Sequence, residues 1–443
     1  MITSSPKLTS KSRRGQPLTG KVRIPGDKSI SHRALILAGM AIGTSKISGL
    51  LEGTDVLATM RAMQALGAHI EKHDNGDWHV TGVGPMGLSS PAEALDFGNA
   101  GTGVRLVMGL VAGAAIGARF TGDTSLSARP MERILTPLRA MGAQAQATNG
   151  CLPIKIEPAA LTSATITPNI ASAQVKSAIL LAALGVAGTT TVREKTATRS
   201  HSESMMRLMG ADIRVEETDG YREVSLHNET GPTCLKAMDI EVPGDPSSAA
   251  FPLVAALTVP GSDLVLENIM LNRQRDGLIR ALRAMGGDIA VANERQASGE
   301  TIGDLRVRHS ALTAVNVAAD AAPDMIDEFP AFAVAAAAAE GTSHMAGLAE
   351  LRVKESDRLA AIEAGLKANG VAVEAGEDWL RITGGPIAGG VKVQTHHDHR
   401  IAMAFLCLGL IADKPVTVDD RTMIATSFPE FFELMADLGA QID

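Results

Sequence analysis

One short pattern recurs six times along this chain and constrains its fold more than any other feature. A helix-like segment runs into glycine, and a short alternating apolar stretch follows. The copies are Leu66-Gly67-Ala68-His69-Ile70, Met141-Gly142-Ala143-Gln144-Ala145, Met209-Gly210-Ala211-Asp212-Ile213, Met285-Gly286-Gly287-Asp288-Ile289, Asn369-Gly370-Val371-Ala372-Val373 and Leu438-Gly439-Ala440-Gln441-Ile442. From Gly67 through Gly142, Gly210, Gly286 and Gly370 to Gly439 the spacing is nearly even. Glycine just past a helix adopts the left-handed cap conformation without a Cβ clash, and the alternation predicts a half-buried strand. Well upstream of the glycine lies an almost uncharged helix-like run, as at 106–118, 177–184, 329–339 and 401–412. Such runs are apolar all round and too short to cross a membrane, which makes them core helices. One unit therefore reads as buried helix, strand, loop, more polar exposed helix (202–208 in the third), glycine cap and strand.

A longer repeat encloses the short one. Val22-Arg23-Ile24-Pro25-Gly26-Asp27 returns as Ile240-Glu241-Val242-Pro243-Gly244-Asp245, and the next cap glycines, Gly67 and Gly286, follow at almost the same distance from Gly26 and Gly244. The expected division is an N-terminal tail and first strand at 1–24 that joins the C-terminal domain, a domain of three repeats at 25–243, and a second at 244–443. Hinges are expected near Pro25-Gly26-Asp27 and Pro243-Gly244-Asp245. An open solenoid would show atypical end repeats; two sets of three predict two closed α/β domains with a cleft between them.

Composition excludes several classes. With 45% hydrophobic residues the chain is not disordered, and its 44 glycines show no three-residue period. The net charge of −8 argues against a general nucleic-acid binder. Cys151, Cys234 and Cys407 form no CxxC pair, so neither a disulfide framework nor a zinc ribbon is expected. The segment 1–17 is Ser- and Lys/Arg-rich without an apolar core, so it is not a secretory signal, and it reads as a loose basic tail in preference to an organelle address. Uncharged stretches such as 177–192 are short and carry Thr and Gly, and no membrane span is expected. A cytoplasmic, reduced protein is the expectation.

Charge collects where the buried helices begin. Lys28-Ser29-Ile30-Ser31-His32-Arg33 opens the first, Gly98-Asn99-Ala100-Gly101-Thr102-Gly103 the second with Arg105 inside it, and Ser172-Ala173-Gln174-Val175-Lys176 the third. Asp327-Glu328 opens the fifth and His396-His397-Asp398-His399-Arg400 the sixth. Helix starts present unpaired N–H groups and favour anions. Lys28, Arg33, Arg129, Arg199, Lys354, Arg358 and Arg400 are seven cations at equivalent unit ends. Incidental capping or surface charge explains any one of them, but not the set. The set predicts a focused positive site for a small, multiply anionic ligand.

Three motifs fall away. Gly82-Val83-Gly84-Pro85-Met86-Gly87 fits GxGxxG, but Pro85 and Pro91 prevent a helix from opening there. No GxxxxGKS/T loop is present. His396, His397, Asp398 and His399 are consecutive and cannot all face one ion, so no metal is expected.

The motifs Gly26-Asp27-Lys28-Ser29-Ile30-Ser31-His32-Arg33, Gly98-Asn99-Ala100-Gly101-Thr102, Ala128-Arg129-Pro130-Met131, Ser172-Ala173-Gln174, Val353-Lys354-Glu355-Ser356-Asp357-Arg358 and Asp398-His399-Arg400 occur in this order. They resemble the 5-enolpyruvylshikimate-3-phosphate (EPSP) synthase family across residues 18–443. The resemblance implies a two-domain inside-out α/β barrel, EPT/RTPC-like, with six βαβαββ repeats, three per domain. It implies transfer of the enolpyruvyl group of phosphoenolpyruvate to the 5-hydroxyl of shikimate 3-phosphate, without cofactor or metal, by a monomer that glyphosate could inhibit. By the same resemblance Lys28, Ser29, Arg33, Ser172, Ala173, Gln174, Arg199, Asp327 and Lys354 would hold shikimate 3-phosphate. Lys28, Gly101, Arg129, Gln174, Arg358 and Arg400 would hold phosphoenolpyruvate. Asp327 would be the base, Glu355 the acid, and Lys28 would assist catalysis at the bridging phosphate.

The chain departs from the family in places. Many members carry Lys-Thr-Phe-Pro near the C-terminus, where this chain has Thr426-Ser427-Phe428-Pro429. The stretches at 172–176 and 199–203 resemble a glyphosate-tolerant subgroup, but its Asn-x-Thr-Arg reads Asn272-Arg273-Gln274-Arg275, and its Ala is Gly101 here. Two rivals remain. The UDP-N-acetylglucosamine enolpyruvyl transferase usually has Cys five residues before Arg-Pro, where this chain has Thr124. A non-catalytic anion-binding repeat protein would retain the fold alone, against the intact acid, base and cation set.

Overall fold

The computed structural model describes residues 8–229 and 231–443. Its repeating element is clearest in the second copy. Strand Leu95–Asp96, helix Gly101–Gly113, strand Ala118–Thr121, helix Glu132–Ala140 and the paired strands Gln144–Thr148 and Cys151–Glu157 follow in order. The strands form one sheet in the order first, second, fourth, third. The first two are parallel and the rest antiparallel. Parallel neighbours need a crossover, and the buried helix supplies it. Six sheets of this βαβαββ plan make up the described chain.

Three of the six sheets take a strand from a distant part of the sequence. Leu235–Lys236 and Ile240–Glu241 pair in parallel with Ala41–Ser48 in the first repeat. Thr19–Arg23 pairs in parallel with Asp263–Met270 in the fourth. Ser10–Arg13 lies antiparallel between Val416–Val418 and Gln441–Ile442 in the sixth. This last strand corrects the reading of segment 1–17 as a loose tail, in so far as its residues are described. Its inward residues are Ser10 and Ser12, both buried. Serine leaves no hydrophobic alternation to read, and the strand is held by main-chain pairing.

The buried helices are α1 (Lys28–Met40), α2 (Gly101–Gly113), α3 (Ala173–Ala183), α4 (Pro246–Thr258), α5 (Phe329–Ala338) and α6 (His399–Gly409). Three of them, α2, α3 and α6, begin before their apolar runs at 106, 177 and 401. The runs mark only the part packed on all sides, so the polar residues before them ride on the first helical turn. The second helices are less uniformly exposed than expected. In His201–Leu208 the side chains of His201, Ser202 and Glu203 are buried with Met205 and Met206.

All six cap glycines have positive φ: 114°, 108°, 97°, 90°, 85° and 94° for Gly67, Gly142, Gly210, Gly286, Gly370 and Gly439. After each, the next N–H donates to the carbonyl five residues back, as Ala68 does to Met63 and Ala440 to Met435. This closes the orphan carbonyls of the helix end and turns the chain into its strand. A different demand acts at Gly109, where a Cβ would stand 2.2 Å from the Ala178 carbonyl oxygen. Helices α2 and α3 touch there through backbone.

The chain forms two compact units. One comprises the chain up to Asp27 with Pro243–Arg295 and Thr301–Asp443; the other comprises Lys28–Val242 and Gln296–Glu300. Among the described residues no helix is long and apolar enough to cross a membrane.

Within the first of these units the two Pro-Gly-Asp turns lie side by side. Gly26 bridges Gly244, the Asp27 N–H donates to the Pro243 carbonyl, and the Asp245 N–H donates to Pro25. Buried Arg275 donates to Asp27 at 3.0 Å and to Asp245 at 2.9 Å. The Arg of the divergent 272–275 stretch therefore holds the two turns together. Burial, then the neighbouring Asp27 charge, push the Asp245 carboxyl up from 3.8 to about 6, against Arg275. Between those values the folded protein binds the proton that the unfolded chain has lost, so stability falls as pH rises from about 4 to about 6. Asp245→Asn keeps the oxygen that accepts the Ser247 N–H and should flatten this slope in urea unfolding at pH 4.5 and 7. Parallel losses in variant and parent would contradict it.

Candidate active site

In the unit built on α1, α2 and α3, the candidate ligands stand on helix N-termini and on the loops beside them. Lys28 is the first residue of α1, and its Nζ pairs with buried Asp55 in the first turn of helix Thr54–Ala65. Ser29 follows, and its carbonyl accepts from Arg33 at 3.0 Å. Arg33 is buried; its Nε donates to Ser202 and one terminal nitrogen to Ser177, both at 2.8 Å. These contacts join α1, α3 and helix His201–Leu208.

Gln174 joins α2 to α3. Its amide oxygen accepts from Arg105 at 2.8 Å and its amide nitrogen donates to Thr102 at 3.0 Å. Ser172 caps α3, and Ala173 is its first residue. Arg129 donates to the Asn99 side chain at 2.6 Å, which ties its loop to the Gly98-Asn99-Ala100-Gly101 turn. A Cβ on Gly101 would lie 3.0 Å from an Arg129 terminal nitrogen and 3.3 Å from one of Arg105. Gly101 thus leaves two guanidinium groups open to close approach. Arg199 is half-buried in the loop before His201.

In the other unit five candidates, Arg358 among them, form one connected cluster. Asp357 caps helix Arg358–Ala368 through the Ala360 N–H, which fixes Arg358 at its start. Arg358 is 1% exposed, and all three of its guanidinium nitrogens donate to carboxylates. Asp398 accepts at 2.8 and 3.4 Å, Asp327 at 3.2 Å and Glu355 at 2.5 Å. Lys354 Nζ lies 3.4 Å from the same Asp327 oxygen. Arg400, on the first turn of α6, donates to the Asp327 carbonyl at 3.0 Å. Burial opposes the guanidinium charge of Arg358, and Asp398, Glu355 and Asp327 outweigh it, so its pKa rises further.

Asp398 is the hub that sequence reading missed. It is fully buried, caps α6 through the Arg400 N–H at 2.9 Å, and accepts from Ser356 at 3.0 Å. Burial opposes its charge, yet Arg358 holds its carboxyl below the usual range. The neighbouring His397 instead faces Asp420 at 3.7 Å. At the C-terminal departure, residue 426 is Thr rather than Lys, and its hydroxyl donates to the Met423 carbonyl.

The geometry thus gathers a carboxylate pair, Asp327 and Glu355, with Lys354, Arg358 and Arg400 in one unit. In the other it places Lys28, Ser29, Arg33, Gly101, Arg129, Ser172, Ala173 and Gln174 at three helix starts and the adjoining loop. Carboxylates beside cations can move protons and hold anionic groups. The family model of EPSP synthase (3-phosphoshikimate 1-carboxyvinyltransferase) matches residues 12–435. The chain belongs to the EPSP synthase family. A 3-phosphoshikimate 1-carboxyvinyltransferase of Chelativorans sp. (strain BNC1) is 55% identical, with 99% of this chain and 98% of that protein covered. One of Pseudomonas sp. (strain PG2982) is 54% identical over 100% of this chain and 98% of its own length. The EPSP synthase structure from Acinetobacter baumannii aligns with a TM-score of 0.88 at 43% identity, covering 98% of this chain and 99% of that one. Family members at this likeness share the α/β architecture described above.

Proposed function

We propose that this chain transfers the enolpyruvyl group of phosphoenolpyruvate to the 5-hydroxyl of shikimate 3-phosphate, releasing phosphate, as a step of chorismate and aromatic amino-acid biosynthesis. The observation that carries the reading is the grouping of Asp327 and Glu355 around Arg358 in a chain that matches EPSP synthases along its length.

In this reading Ser29, Arg33, Ser172, Ala173, Gln174, Arg199 and Lys354 bind shikimate 3-phosphate. Lys28, Gly101, Arg129, Gln174, Arg358 and Arg400 bind phosphoenolpyruvate. Protonated Glu355 gives its proton to the methylene carbon, and the adjacent carbon becomes cationic. The 5-hydroxyl oxygen bonds to that carbon while Asp327 takes its proton. In the tetrahedral intermediate Glu355 takes a methyl proton back, the double bond re-forms and the carbon–phosphate oxygen bond breaks. The hydroxyl proton ends on the departing phosphate, whose bridging oxygen Lys28 stabilises. General acid and base groups of this kind each contribute about 10²–10⁴-fold. The enzyme acts as a cytoplasmic monomer.

Phosphorus NMR of the protein with both substrates tests this reading. The phosphoenolpyruvate signal should give way one-for-one to inorganic phosphate and a new shikimate-derived product; an unchanged spectrum rejects it. The 172–176 and 199–203 stretches ally the chain with the glyphosate-tolerant subgroup, whereas Gly101 leaves the pocket open to the inhibitor. A methyl there crowds the Arg129 and Arg105 nitrogens at 3.0 and 3.3 Å. Gly101→Ala should therefore raise the inhibition constant of glyphosate, the longer anion, more than the KM of phosphoenolpyruvate. Equal losses for both would contradict this.

A further inference from the structure

Four buried or half-buried charges surround the loop that carries Arg199. Lys176 lies in α3 just past Ser172, Ala173 and Gln174, and is 1% exposed. Its Nζ donates to Glu194 at 2.8 Å and to the Thr198 carbonyl at 3.1 Å, and pairs with Glu203 at 2.9 Å. Arg222 donates to the same Glu194 and Glu203 oxygens at 2.8 and 3.1 Å. The Thr198 hydroxyl donates to the other Glu194 oxygen. Two cations and two carboxylates therefore balance, and they come from four elements: α3, strand Gly188–Glu194, helix His201–Leu208 and strand Tyr221–Asn228. The loop leaves the box at Glu194, is tied to it at Thr198, and re-enters it at Glu203, with Arg199 in between.

Stability is a poor explanation for such a box. Buried ion pairs are often no better than apolar packing of the same volume. Here the second Glu203 oxygen also has no hydrogen-bond partner among the described residues, which adds a desolvation cost. What the box does hold is ligand geometry. Next to Glu203, Ser202 accepts from Arg33 and lies 2.7 Å from Ser177, which in turn donates to the Ala173 carbonyl at 2.6 Å. The same framework thus reaches Arg199, Arg33 and the start of α3.

We propose that Lys176 is a positioning residue for shikimate 3-phosphate, setting Arg199 through the Thr198 carbonyl and Arg33 through the helix of Glu203. The proposal rests on the function given above. It predicts a larger loss for shikimate 3-phosphate than for phosphoenolpyruvate, because the box framework reaches Arg199 and Arg33, whereas Arg358 and Arg400 are held by Asp398, Glu355 and Asp327 in the other unit.

The test separates positioning from folding. Lys176→Met alone leaves two carboxylates to one Arg222 and should lower thermal stability. Lys176→Met with Glu203→Gln restores the charge balance, so the Tm should return to near the parent value. Its affinity for shikimate 3-phosphate alone, titrated by calorimetry, should stay about tenfold weaker, equivalent to about 1.4 kcal/mol. Its KM for phosphoenolpyruvate should change much less. Recovery of shikimate 3-phosphate affinity along with the Tm, or equal losses for both substrates, would overturn the proposal. Lys176→Arg keeps all four charges but displaces the donor to the Thr198 carbonyl, and supplies the same readout should the double variant not fold. A parent protein that fails to bind shikimate 3-phosphate in this titration would reject the function itself, a result distinct from loss of positioning.

Discussion

Asp327→Asn should lower kcat by about 10²–10⁴-fold, the range for removing a general base, while the KM of shikimate 3-phosphate changes by no more than about threefold. The amide keeps an oxygen for Lys354 and Arg358, which share one Asp327 oxygen at 3.4 and 3.2 Å. It cannot take the proton of the 5-hydroxyl. Arg358 still has Asp398 and Glu355, so the variant leaves no buried guanidinium without a counter-charge. Single-turnover kinetics distinguish the outcomes, because a group acting only in the transition state lowers kcat and kcat/KM together. Unchanged turnover would remove Asp327 from the base role.

Arg358→Met should be the most damaging single change to the fold of its unit. Asp398, wholly buried, would lose its cation. Removing one partner of a buried pair typically costs about 3–5 kcal/mol, and turnover should fall with it, since Asp327 and Glu355 lose their common anchor. The pH dependence gives the sign of the effect. In the parent, Arg358 holds the Asp398 pKa below 3.8, so this carboxylate contributes stability above that value and loses it as pH falls. The gap between parent and variant in urea unfolding should therefore be wide at pH 7 and shrink as pH falls below 3.8. A gap independent of pH would show that the loss comes from packing rather than charge.

Local chemistry explains which parts of this molecule could be read from the chain alone. The six glycine caps are written within a few residues each, and every one has the positive φ that its position demands. The polar starts of α1, α2, α3, α5 and α6 were equally visible, because each interrupts an apolar run. The counter-charges were not. Arg358 meets Asp398 40 residues away, and Lys28 meets Asp55 through a helix whose sequence carries no sign of it. Lys176 was visible only as one more polar residue at a helix start, yet its partners Glu194 and Glu203 come from two later elements. Strand Ser10–Arg13 escaped for another reason, since its buried face is serine.

The most direct test of the account is phosphate release by the purified chain from phosphoenolpyruvate, with the acceptor varied. Shikimate 3-phosphate should support continuous release. Phosphoenolpyruvate alone, or with UDP-N-acetylglucosamine, should give none. Release with the UDP-sugar only, or no release with shikimate 3-phosphate from a folded protein that binds both substrates, would contradict it.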